Sequence, residues 1–146
     1  MAQNQNFTKI WMAVAIVSFV LHFSLERLAR PSFANNQLMP WHLQPTVSAT
    51  IILALATFIL ASAFAYIFLQ GYRGGGAAEG VRFGIWATLL ASVPVNLAFA
   101  AVLPEGRRIP AEFIAIDLVT YVACGVVAAM LAGKSAPAAQ EKKAAA

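Results

Sequence analysis

Charge is what this 146-residue chain has least of: aspartate, glutamate, lysine and arginine make up 11% of it, against 60% apolar residues. An ordinary soluble domain carries about a quarter charged residues, so a fully hydrated surface cannot be assembled from this sequence. Cysteine is also nearly absent. With Cys124 alone, an intramolecular disulfide and a cysteine metal cluster are both excluded, and the residue is expected to pack as a small apolar side chain. There are two histidines, His22 and His42, too few for a histidine-rich metal centre. No basic stripe interleaved with aromatics is present, which removes nucleic acid from the expected partners. The net charge of +4 reads instead as membrane topology and contact with anionic lipid.

What fills the chain is apolar sequence, with a mean hydropathy of +0.72. Four runs match the roughly 20 apolar residues that a helix needs to cross a bilayer: about 7–28, 46–70, 81–103 and 111–133. Phe83 to Pro104 contains no charged group. Backbone polar groups in hydrocarbon must pair within a helix or a closed barrel. These runs are too long and too evenly apolar for the alternating strands of a barrel, so helices are predicted. The first run, with Lys9 ahead of it, has the look of a secretion signal. No small-x-small cleavage pattern follows, and an uncleaved span ending near Leu25-Glu26-Arg27-Leu28 is predicted instead.

Arg30-Pro31 is expected to end the first helix, with Asn35, Asn36, Pro40, Trp41 and Pro45 in an irregular loop after it. Gly71 and Gly74-Gly75-Gly76 break the chain between spans two and three. Pro104, Gly106 and Pro110 make a short link that forces spans three and four into a hairpin. The fold class predicted is an all-α membrane protein, four transmembrane helices in an up-down-up-down bundle over residues 1–133. The Lys-, Ala- and Pro-rich segment 134–146 is expected to be a disordered cytoplasmic tail. Lys9, Arg73, Arg82, Lys134, Lys142 and Lys143 would lie on one side of the membrane and Arg27, Arg30, Arg107 and Arg108 on the other. The richer side is expected to be cytoplasmic and to hold both termini.

Spacing of four shows which faces meet. Gly80, Gly84, Thr88, Ser92 and Asn96 form a stripe of small and polar residues on the third span, and Asp117, Tyr121, Gly125, Ala129 and Gly133 form one on the fourth. Ser18, His22, Glu26 and Arg30 share a register on the first. Gly80, Gly84, Thr88, Ser92 and Gly125 are therefore the expected helix-packing residues. Asp117, His22, Asn96, Glu26 and Tyr121 are expected to form an intramembrane polar cluster, all at similar depth, with Arg27 or Arg30 as counter-ion and Pro94 bending the third span toward it. A carboxyl group inside a span costs about 2.5–3.5 kcal/mol at the helix centre on insertion scales, which makes Asp117 the leading functional residue. Against this stand plain readings: Glu26, Arg27 and Arg30 as side chains reaching the headgroups, and Asp117 as interhelical glue.

The segment Gly71-Tyr72-Arg73-Gly74-Gly75-Gly76 lacks the preceding strand and terminal Gly-Lys-Ser/Thr of a phosphate-cradling loop and reads as a turn, with Glu79 in the first turn of the next helix. The pattern Gly71-Tyr72-Arg73-Gly74 through Glu79-Gly80-x-Arg82-Phe83-Gly84, followed by an apolar span with Pro94, resembles small, uncharacterised four-helix inner-membrane proteins of bacteria. That resemblance implies a bacterial inner-membrane location and a shared structural loop, and brings no activity or cofactor.

Three functions follow as expectations. The first is an accessory or scaffolding subunit of a membrane assembly, without catalysis and without a cofactor, the expected partners of the chain being the lipid bilayer and either a larger membrane complex or a homo-oligomer. The second is a small oligomeric transporter or proton-linked permeation unit in which Asp117 gains and loses a proton. The third is a haem or metal carrier using His22 with His42.

Overall fold

The computed structural model describes residues 2–33, 47–102 and 108–144, without the side chains of residues 2–6, 26, 29–33, 49, 50, 53, 108, 109 and 134–144. Among the described residues the chain is helical, with no strand: α1 (Ala2–Phe33), α2 (Val47–Gly71), α3 (Gly76–Ala91), α4 (Val93–Val102) and α5 (Arg108–Ala144). Four stretches are long and apolar enough to cross a membrane, namely Phe7–Leu25, Ala54–Gly71, Gly76–Val102 and Pro110–Gly133. The chain has the make-up of a multi-pass membrane protein, and its surface agrees: Ile59, Trp86, Leu90 and Val102 are among many large apolar side chains left exposed, as they must be where the solvent is hydrocarbon.

Several element boundaries differ from those predicted. Helix α1 continues past Arg30-Pro31 to Phe33, because proline near a helix end removes one hydrogen bond without forbidding the backbone angles. Helix α3 starts at Gly76, ahead of the apolar run that begins near 81, and carries Glu79 in its first turn as predicted. The turn is confined to Tyr72–Gly75, where Gly74 (φ 90°) and the adjoining Gly76 (φ 64°) take left-handed angles that only glycine adopts freely. Pro110 lies in the first turn of α5, where its missing N–H has no helical acceptor to lose. At its far end α5 runs to Ala144. The irregular loop predicted after α1 and the Pro104-Gly106 link lie outside the described residues.

Glu79 ties down the turn. Its Oε1 accepts the Arg73 N–H at 2.8 Å and its Oε2 accepts the Gly75 N–H at 2.7 Å, while its place in the first turn of α3 suits the helix dipole. Glu79→Ala is expected to release this turn. Trypsin cleavage after Arg73 in detergent should then run faster than in the parent chain, and an equal rate would show that the glycines hold the turn by themselves.

Helix α5 is the hub. Helices α1 and α3 both pack along it, α2 packs chiefly on α1, and α4 touches α3 and α5. Pairings run in opposite order on α1 and α5: the Cys124 thiol donates to the Val14 carbonyl oxygen at 3.7 Å, and His22 meets Asp117. Helix α3 is likewise antiparallel to α5, with Gly80 against Gly125, Gly84 against Tyr121 and Val122, and Ser92 against Asp117. The glycine contacts are backbone on backbone. A Cβ at Gly84 would stand 2.5 Å from the Tyr121 carbonyl oxygen, and one at Gly80 or Gly125 would collide with the other glycine's carbonyl. Toward the Gly71 end of α2 the bundle is closed by aromatic rings, with Phe83 edge-on to Phe64 (4.9 Å) and to Phe68 (5.2 Å), above Ile10, Val14, Cys124 and Ala128.

Candidate functional site

The third span is interrupted at Ser92, between α3 and α4, two residues before Pro94. Proline cannot donate to the carbonyl four residues back, so the helix loosens there, although the Ser92 N–H still reaches the Thr88 carbonyl at 2.9 Å and Asn96 N–H reaches the Ser92 carbonyl at 3.0 Å. Because Gly80 and Gly84 have already brought α3 against α5, Ser92 arrives beside Asp117. The Ser92 hydroxyl donates to Asp117 Oδ2 at 2.6 Å, a short bond of the kind made to carboxyl oxygens. Asn96 sits one turn further on and donates from Nδ2 to the Ser92 hydroxyl at 3.1 Å and to the Ser92 carbonyl at 3.0 Å.

From the other side α1 brings His22, whose Nδ1 stands 3.4 Å from Asp117 Oδ1, longer than the usual N–H···O separation. The Asp117 side chain is 17% exposed and that of His22 37%. The carboxyl group is thus held tightly by serine, with asparagine behind it, and loosely by histidine. Thr88 and Thr120 are buried nearby, but each hydroxyl bonds back to its own helix, to the Gly84 and Ile116 carbonyls at 2.9 Å. Two contacts reach the carboxyl group, from Ser92 and His22, and at about 0.6–2 kcal/mol each they are comparable with the roughly 2.5–3.5 kcal/mol that an aspartate costs at a helix centre.

Asp117 and His22 open onto a recess of about 170 Å³ between α1, α2 and α5, whose wall includes Ser18, Phe19, Phe23, Thr57 and Tyr121. Asp117 lies about 10 Å along α5 from Pro110. Toward Gly133 the next residues on that face, Tyr121, Cys124, Ala128 and Ala129, belong to the apolar core. Tyr121 stacks on Phe64 with centroids 6.2 Å apart. Among the described residues the polar cluster therefore ends at Tyr121 and does not cross the bundle.

The structure brings together Asp117, His22 and, through Ser92, Asn96. Tyr121 lines the same recess. Arg27 is not the counter-ion of Asp117: its guanidinium lies 4.7 Å from the Phe23 ring centroid, because α1 turns residue 27 away from the face that carries residue 22. The Glu26 and Arg30 side chains and the whole of His42 lie outside the described residues. No group of three or more His, Cys, Asp or Glu side chains suited to a metal ion forms among the described residues. Sequence reasoning assigned Ser92 to helix packing and missed its bond to Asp117; the available signal was its position one turn before Asn96 on the same stripe. It missed the α2 wall entirely, since Thr57 sits in a run of apolar and small residues without other markers. No protein-family model matches the chain, and neither a curated protein nor a solved structure does.

Proposed function

We propose that this chain is an accessory or scaffolding subunit of a membrane assembly, an up-down-up-down four-helix bundle of the bacterial inner membrane with both termini cytoplasmic. The observation that supports this reading is the closure of the polar cluster at Tyr121 and the aromatic and alanine core beyond it, which among the described residues gives a single copy a polar pocket and no polar path from one face to the other. The excess of Lys and Arg near one set of span ends supports the orientation. Helix α4 has no fully buried residue, and its side away from α3 and α5 is open to a neighbouring subunit. Extraction in a mild detergent followed by native mass spectrometry of the intact particle tests it. Fixed stoichiometry with a larger membrane complex is the expected result, and a particle containing this chain alone would overturn it.

The Asp117–His22 approach at 3.4 Å favours a second reading, a proton-linked permeation unit completed by further copies. Under that reading the chain runs as a homo-oligomer, and proton flux into liposomes disappears in Asp117→Asn while the particle keeps its size. Equal flux from parent and variant would remove Asp117 from any proton path.

A further inference from the structure

We propose that the recess between α1, α2 and α5 binds a lipophilic organic cation, an alkyl- or aryl-substituted ammonium that reaches it from the hydrocarbon side. Among the described residues Asp117 is the only acidic side chain on the recess wall, and its side chain remains 17% exposed. The Ser92 hydroxyl fixes the carboxyl group at 2.6 Å, whereas His22 at 3.4 Å is the looser neighbour and the one an incoming cation would displace. The wall also carries aromatic rings, set among serine, threonine, alanine and leucine side chains. Phe19 and Phe23 stand parallel, 3° between planes and 6.0 Å between centroids, and Tyr121 lies on the same wall. Ring faces attract cations, and a substituted ammonium loses little hydration on leaving water. Phe23 already meets one cation, the Arg27 guanidinium at 4.7 Å, which stays on that ring and leaves the carboxyl group to His22 and Ser92.

The chemistry discriminates among ligands. An anion meets a carboxyl group, and a small inorganic cation finds phenyl rings where it needs oxygen ligands. The volume, about 170 Å³, is close to that of a cavity that holds a benzene ring, so a trimethylammonium head or a small aryl group fills it. An apolar furrow of about 360 Å³ between α1 and α2 shares Phe19 and Thr57 with the recess and gives the apolar remainder of the ligand a place beside it.

The test titrates benzyltrimethylammonium into the full chain in uncharged maltoside micelles, with ligand NMR line broadening as the readout. Saturable binding is expected, weakened about tenfold or more in Asp117→Asn and about threefold in Phe19→Leu. Neopentylbenzene, the uncharged isostere, should not compete. Absence of saturable binding, equal affinity in a correctly helical Asp117→Asn, or equal competition by neopentylbenzene each overturns the proposal. If Asp117→Asn does not fold, Phe19→Leu and the isostere decide the matter by themselves, since Phe19 touches neither Asp117 nor the Arg27 guanidinium in the contacts described. This site stands apart from the assembly reading: native mass spectrometry tests the one and cation titration the other.

Discussion

Leucine at Gly125 is expected to drive α3 away from α5 and abolish the folded bundle. An ideal Cβ at this position already collides with the Gly80 carbonyl, which is backbone and cannot rotate aside. Overpacking in a core usually costs about 1–3 kcal/mol because side chains give way. Here a whole helix must move, and the bonds that depend on its approach, Ser92 to Asp117 above all, go with it. The loss should exceed about 3 kcal/mol, the upper end of that range, and appear as a large fall in the denaturing-detergent midpoint. Gly80→Leu should behave alike and Gly125→Ala should show the same sign. Gly71→Ala is the control, since nothing stands within 4 Å of its Cβ and its backbone angle is ordinary. A Gly125→Leu chain as stable as the parent would mean that α3 and α5 do not cross at Gly80 and Gly125.

The second large effect is a split in sign. Asp117→Leu should raise the efficiency with which the fourth span inserts, because an aspartate within a span costs about 2.5–3.5 kcal/mol at the centre of a helix. The same change should weaken the finished bundle by about 1–2 kcal/mol, since Ser92 and His22 lose the acceptor that α5 provides. A glycosylation-based insertion assay reads the first quantity, and a detergent-denaturation midpoint reads the second. If both move in the same direction, Asp117 is not paired across the helices as described. Asp117→Asn keeps an acceptor for Ser92 and should fall between the two.

The site's two halves were not equally readable from sequence. Hydropathy length alone marks four apolar runs, and the four helical stretches fall within them or overrun them by a few residues. The glycine stripe was visible because backbone contact demands small residues at spacing four, and Gly80, Gly84, Thr88 and Ser92 are all buried. Asp117 and His22 stood out because ionisable groups are rare in apolar runs. The limits have physical causes. Ser92 serves both packing and hydrogen bonding, and a small polar residue shows only one of these in a pattern. Glu79 was placed in the first turn of its helix, but its bonds to the Arg73 and Gly75 N–H groups are contacts that spacing rules do not encode. The Phe64, Phe68 and Phe83 contacts that close one end join α2 to α3, and nothing in an evenly apolar helix says which of its phenylalanines face inward.

The placement of α5 at the hub has a consequence in time. The inner face of α1, from Ile10 through Val14 to Ser18, is completed by residues such as Cys124 and Ala128, more than a hundred positions later in the chain. At about 5–20 residues per second, that face waits several seconds or longer for its partner to be synthesised. The helices α1 and α2 leave the ribosome as an early hairpin, while the span containing α3 and α4 carries its glycine stripe into the membrane with nothing yet to meet it. Closure then comes as one late event when α5 arrives. A chain stopped before residue 117 would hold neither of the two main interfaces, so the window for capture by another membrane protein stays open until synthesis is nearly finished.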